Sequence, residues 1–254
     1  MLLNLNSLMA DGYHSNSQKM RIITEQWVDE NIFCPNCGKL ITNYENNRPV
    51  ADFYCSHCNE DYELKSKYGK SLGKTIADGV YHKMIERITS STSPNFFFLN
   101  YDKSNYEVIN FLAVPSYFFV PNMIIARSKG IPNRPNYIMC NIDISSIPHS
   151  GKIFYVKNKQ IQSKDKVMEE WSKMDFLQSS TNIEAKGWLF DIMTCIDKTK
   201  KQNFLLADIY NFERYLKDRH PNNNNIQAKI RQQLQILRDK EYLRFEGKGM
   251  YSLQ

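Results

Sequence analysis

Apolar residues recur along the chain with two different spacings, and the alternation between them marks out the elements. Near the start, SNSQKMRIITEQWVDENI places Met20, Ile23 and Trp27 on one face behind Ser15 or Ser17 as a cap, which predicts a helix. PVADFYC and DYELKSK read as two strands. KTIADGVYHKMIERIT repeats Ile76, Val80, Met84 and Ile88 every four residues and predicts an amphipathic helix. NFFFLNYD and YEVINFLAVPSYFF are dense in aromatic and β-branched residues and predict buried strands, and GKIFYVKNKQI predicts another strand or hairpin. Gly130, Pro132 and Pro135 make 125–141 a surface loop. This order predicts an α/β core, a mixed sheet flanked by helices.

The pattern changes after the polar stretch FLQSSTNIEAKGW, which predicts a boundary between residues 1–182 and 183–254. GWLFDIMTCIDK places Trp188, Ile192 and Cys195 on one helical face, and LLADIYNFERYLK does the same with Ile209, Phe212 and Leu216. HPNNNN breaks the chain. NIQAKIRQQLQILRDK then aligns Ile226, Ile230, Leu234 and Leu237. YLRFEGKGMYSL reads as a hairpin with Gly247 and Gly249 in its turn and Leu243 and Phe245 alternating on one strand. Three helices and a terminal hairpin predict a winged helix.

Composition narrows the classes. At 254 residues the chain can bury a substantial core, and no apolar run is long enough to span a bilayer. The N-terminus lacks a basic segment followed by an apolar core, so the expected address is cytoplasmic, with no membrane partner. Of the net charge of +6, the segment from Ile183 onward carries +4, from 13 Lys+Arg against 9 Asp+Glu. Such a basic C-terminal domain suits a polyanionic partner, although a solvated surface has the same composition.

Four of the six cysteines form two Cys-x-x-Cys pairs, Cys34 with Cys37 and Cys55 with Cys58, separated by 17 residues. Each pair can wrap two thiolates around one metal, and two pairs complete a tetrahedron, so the spacing predicts a structural zinc site; redox cysteines are the rival. His57, inside the second pair, is surplus to four thiolates.

Alternation along a strand puts Glu63 and Lys65 on one face, with Tyr62 and Leu64 on the other. If the strand before it pairs as a hairpin, Asp52 and Glu63 converge. Two convergent carboxylates bind a hard cation such as Mg²⁺, and a neighbouring lysine can orient a water or steady charge on a phosphate. That is the equipment for metal-assisted phosphodiester hydrolysis, although Asp, Glu and Lys are also ordinary surface residues. Glu25 on the first helix either approaches this site or is solvated. On the helix from Ile226 to Asp239, Lys229, Arg231, Gln232 and Gln235 fall away from the apolar stripe. Gln and Arg there suit base edges and Lys suits phosphates, while Lys248 at the hairpin tip suits the backbone or a minor groove.

The Asp…Glu-x-Lys arrangement resembles the PD-(D/E)xK nuclease superfamily, with Ala51 in place of the proline of its name. Across nearly the whole chain, SNSQKMRIITEQWV, FCPNCG, ENNRPVADFYCSHC, YELKSK, NFFFLNY, CNID and IRQQLQILRDKEYLRF resemble the DpnI group of restriction endonucleases. The resemblance implies a Mg²⁺-dependent type II endonuclease that cuts double-stranded DNA at GATC when the adenine is methylated, without an obligatory protein partner. It implies Asp52, Glu63 and the Leu64 carbonyl as magnesium ligands, and Lys65 as the residue that positions water. It also implies that both domains sense the methyl group. Tyr137 in RPNYIMCNID stands where the family carries Trp, and can offer an aromatic wall. The rival readings are a zinc-containing winged-helix transcription regulator without catalysis, and a nuclease for RNA or unmodified DNA.

Overall fold

The computed structural model describes residues 1–10, 12–45, 51–90, 92–178 and 183–254, with the backbone alone at 9, 183 and 184. Positions 49–50 of the first expected strand, and residues 179–182 before the expected domain boundary, lie outside the described residues. The chain divides into two compact units, Met1–Ser145 with Ser150–Met174, and Ser146–His149 with Asp175–Gln254.

The first unit contains α1 (Asn16–Asn31), β1 (Thr42–Asn43), β2 (Phe53–Tyr54), β3 (Asp61–Tyr68), β4 (Thr75–Val80), α2 (Tyr81–Thr89), β5 (Asn95–Asp102) and β6 (Glu107–Val114). It continues with β7 (Ile124–Ala126), β8 (Met139–Asp143), β9 (Ile153–Lys157), β10 (Gln160–Ile161) and α3 (Lys164–Ser172). Among the described residues the main sheet has the order β1-β2-β3-β5-β6-β9-β10. It is mixed: β3 and β5 run parallel and their neighbours antiparallel. A parallel pair cannot close through a tight turn and needs a crossover. Here β4 and α2 supply it, and β4 joins a smaller sheet of order β4-β8-β7.

The run Phe96–Leu99 is fully buried, as a central strand covered on both faces requires. On one face Tyr62 stacks on Phe97, 4.5 Å between centroids, in a core shared with Trp27 and Val28 of α1 and Val167 and Trp171 of α3. Phe96 and Phe98 point the other way, toward Phe119. The register sets Glu63 beside Phe96 and Lys65 beside Phe98, so both charged side chains leave the face opposite Tyr62.

Several expectations need correction. The helix expected from Lys74 onward begins only at Tyr81; Thr75–Val80 is a strand. Ile76 and Val80 fit a period of two as well as of four, and β-branched residues on either side of Gly79 favour the strand with a bulge there. The strand that starts at Glu107 stops at Val114, because Pro115 has no N–H to continue the ladder. The ends of the 125–141 loop are in β7 and β8. Ser15 is at the N-cap of α1, but its hydroxyl meets that of Ser17 at 2.8 Å and caps no backbone group. The helix α3, capped by Ser163, adds an element to those read from periodicity.

The second unit is a winged helix. It contains α4 (Ile183–Thr199), β11 (Asn203–Leu205), α5 (Leu206–Tyr210), α6 (Glu213–Arg219), α7 (Ile226–Asp239), β12 (Leu243–Gly247) and β13 (Met250–Leu253), with sheet order β11-β13-β12. Trp188, Ile192, Cys195, Ile209, Leu216 and the Ile226, Ile230, Leu234 and Leu237 stripe of α7 are buried as expected. The middle helix is broken in two at Asn211 and Phe212, and Phe212 is left partly exposed. Buried Asp191 receives Arg219 Nε at 2.6 Å and lies 2.8 Å from His220 Nε2, while His220 stacks on Trp188. Among the described residues no helix is long and apolar enough to cross a membrane.

Candidate active site and metal centre

The four cysteines come together. Their Sγ atoms all lie within 4.8 Å of one another, with Cys34–Cys58 and Cys37–Cys55 each at 3.4 Å. Zinc–thiolate bonds of about 2.3 Å place sulfurs roughly 3.8 Å apart in a tetrahedron, so the donor set fits one structural zinc ion. The two knuckles repeat the same geometry. Gly38 N–H donates to Cys34 O at 2.8 Å and Asn59 N–H to Cys55 O at 2.9 Å, both from left-handed residues (φ 71° and 59°). The left-handed backbone at position 38 favours glycine, and a Cβ there would also push on the ends of the Lys164 and Met168 side chains. Burial pushes the Cys34 thiol up to about 11, partly offset by the Tyr62 hydroxyl at 3.1 Å. His57 is exposed and outside the cluster.

Beside the sheet lies a cleft of about 1010 Å³, lined by Arg21, Glu25, Asp52, Glu63, Leu64 and Lys65 among others. The backbone N–H of Asp52 donates to Tyr62 O at 3.0 Å, and Phe53 pairs with Tyr62, so Asp52 is held at the start of β2 against the edge of β3. Asp52 Oδ2 accepts a 2.7 Å hydrogen bond from Leu64 N–H. Its Oδ1 is 3.8 Å from Arg21, which binds Glu25 more closely at 2.6 Å. Glu25 therefore lines the cleft rather than facing bulk water; burial raises its pKa, against the pull of Arg21.

Glu63 and Lys65 are nearly enclosed. Lys65 Nζ lies 2.6 Å from Glu63 Oε1 and also bonds Asp78. Burial pulls the ammonium down, but the two carboxylates together hold it above its ordinary range. Burial raises Glu63 despite Lys65 and Arg87. Arg87 is 2.7 Å from Glu63 Oε2 as an ion pair, yet this buried oxygen receives no aligned hydrogen bond. A buried carboxylate oxygen with spare acceptor capacity, in a cleft that holds a second carboxylate, fits a hard divalent cation.

Asp78 and Arg87 were not among the expected site residues. On a helix Asp78 would have been one more polar residue facing water; on β4 it reaches Lys65. The signal lay in the Asp-Gly step, which breaks the helical run and accompanies the bulge.

On α7, Arg231, Gln232 and Gln235 are exposed. Arg231 donates to the Tyr210 hydroxyl at 2.7 Å, and Lys229 leans over Trp188, 5.9 Å from the ring. Lys248 is the exposed tip of the wing at φ 50°, between Gly247 and Gly249 at φ 93° and 75°. In the first unit Tyr137 is 38 % exposed, on a loop turn closed by its own N–H to Arg134 O.

The chain thus joins a winged helix to an α/β core that carries a four-cysteine cluster and a cleft lined by Asp52, Glu63 and Lys65. Residues 1–180 match the DpnI family, described as the Dam-replacing family, and residues 184–253 match the Dam-replacing HTH domain. The chain belongs to the DpnI family of restriction endonucleases.

Proposed function

We propose that the protein is a magnesium-dependent type II endonuclease of the PD-(D/E)xK kind, which hydrolyses double-stranded DNA at GATC sites carrying a methylated adenine. The observation that carries this reading is the convergence of Asp52, Glu63 and Lys65 on one cleft, in a chain of the DpnI family. Asp52, Glu63 and the Leu64 carbonyl would hold the cation. A bound Mg²⁺ supplies Lewis-acid polarisation of the phosphate and a water of lowered pKa. Lys65 donates a hydrogen bond to the attacking water and offsets negative charge that grows on the phosphate. Its burial against two carboxylates supports a charged, oriented ammonium.

The remaining assignments follow from residue chemistry. Residues 1–182 act as the catalytic domain and 183–254 as the reader. Arg231, Gln232 and Gln235 contact base edges, while Lys229 and Lys248 contact phosphates or the minor groove. One methyl group contributes only about 0.8 kcal/mol on burial, so strict discrimination needs more than one apolar contact. Tyr137 supplies an aromatic wall in the catalytic domain, and α7 supplies the second reading.

The test is digestion of one plasmid prepared from adenine-methylating and non-methylating hosts, with and without Mg²⁺. Cutting of the methylated plasmid alone, and only with the cation, is expected. Equal cutting of both plasmids contradicts methyl dependence. DNA binding with no cutting of either favours the transcription-regulator reading.

A further inference from the structure

We propose that Asp78 is the positioning residue for Lys65: it keeps the ammonium in the cleft when Glu63 is engaged by a cation. The proposal rests on the nuclease reading above and adds a residue to it. The side chains of Lys65, Glu63 and Asp78 are 17 %, 11 % and 8 % exposed, so water does little to hold the lysine. A lysine has a flexible four-carbon stem and no preferred direction of its own. Its direction here comes from two acids, and they are anchored differently. Glu63 lies on the same strand, with one oxygen on Lys65 and the other facing Arg87. Asp78 lies on the crossover strand, where its Oδ1 also accepts the N–H of Gly79 at 2.7 Å, next to the bulge that displaces the β4–β8 register. The backbone therefore fixes Asp78 independently of Glu63.

The two acids have separate tasks. A divalent cation on Glu63 repels the like charge of Lys65, and Glu63 cannot serve both at full strength. Asp78 then remains as the partner that keeps Lys65 aimed. Without its charge, Glu63 becomes the chief anion near Lys65, and the lysine competes with the cation for it.

The experiment compares Asp78→Asn, Asp78→Glu and Lys65→Ala in the full-length, zinc-loaded protein. The readouts are single-turnover cutting of a methylated duplex, affinity for that duplex in Ca²⁺, Ca²⁺ affinity without DNA, and melting temperature. Asp78→Asn keeps the hydrogen-bonding shape and is expected to slow cutting by about 30- to 100-fold, the scale of a misplaced catalytic group. DNA affinity and melting temperature should hold, Ca²⁺ binding should weaken, and Asp78→Glu should recover part of the rate. Wild-type cutting and Ca²⁺ affinity in Asp78→Asn overturn the proposal. A rate loss matched by losses in melting temperature and DNA affinity also overturns it, because that is a structural role. Failure of the nuclease reading looks different: Lys65→Ala then cuts like the wild type, or no form cuts, and the Ca²⁺ titration still decides whether Asp78 holds Lys65 away from Glu63.

Discussion

Asp52 Oδ2 accepts a 2.7 Å hydrogen bond from the main-chain N–H of Leu64. The bond joins the start of one strand to the middle of the next, across the edge of β3. A residue in an extended strand directs its N–H and C=O to the same side, so the Leu64 carbonyl shares that edge with the Asp52 carboxylate. The side chains of Glu63 and Lys65 flank it on one face. A hydrogen-bonded edge of this kind sets the spacing of the acids before any cation arrives.

Lys65→Ala and Asp52→Asn should each lower cutting by about a thousandfold or more, since under the proposed function each removes either a ligand of the cation or the group that aims the water. Binding of the uncut duplex, followed by fluorescence anisotropy, should survive. Near wild-type cutting by either variant would move the chemistry elsewhere.

The cysteine cluster should hold one zinc ion per chain, and its removal should destabilise the first unit strongly, because structural zinc sites are worth about 10–16 kcal/mol in small peptides. The metal must displace protons from thiols, one of which burial holds at about 11, so zinc affinity should fall as pH falls. Competition with a chromophoric chelator at two pH values measures the slope. An unchanged melting temperature after complete chelation would rule out a structural role.

The two lone cysteines give an alkaline signature. Burial pushes Cys140 up to about 11 and Cys195 up to about 12, from an ordinary 9.0. The folded state thus favours the neutral thiol. Its contribution is complete below pH 9.0 and is lost as pH rises through about 11 and about 12. Melting temperature should decline over that window, and Cys195→Ala should make the decline shallower. A slope unaffected by Cys195→Ala would contradict this.

In the winged helix, Asp191→Ala leaves Arg219 and His220 without their shared acid. Since Arg219 is partly exposed, the cost should be about 2 kcal/mol rather than that of a fully buried pair. Chemical denaturation of the intact chain measures it, and a change within error would show the network to be solvated.

The elements with one clear period were legible from the sequence: the stripe of α7, the buried run Phe96–Leu99 and the two knuckles of the cysteine cluster. So was the alternation that puts Glu63 and Lys65 on one face. Legibility failed where two periods fit the same residues. Ile76 and Val80 satisfy both helix and strand, and tertiary pairing with β8 decides for the strand. That single ambiguity concealed Asp78, because a strand aims it at Lys65 and a helix does not. Arg87 was hidden for another reason. Its partner is 24 positions away across a crossover (87 minus 63), a distance that no local pattern encodes.

The most direct test of the account is the position of a bound Mn²⁺ ion, located by anomalous diffraction from crystals of the zinc-loaded protein. The expected result is an Mn²⁺ peak in the cleft within coordination distance of Asp52, Glu63 and the Leu64 carbonyl, with Lys65 turned to Asp78. Manganese bound elsewhere on the protein, with the carboxylates of Asp52 and Glu63 unliganded at saturating ion, would contradict it.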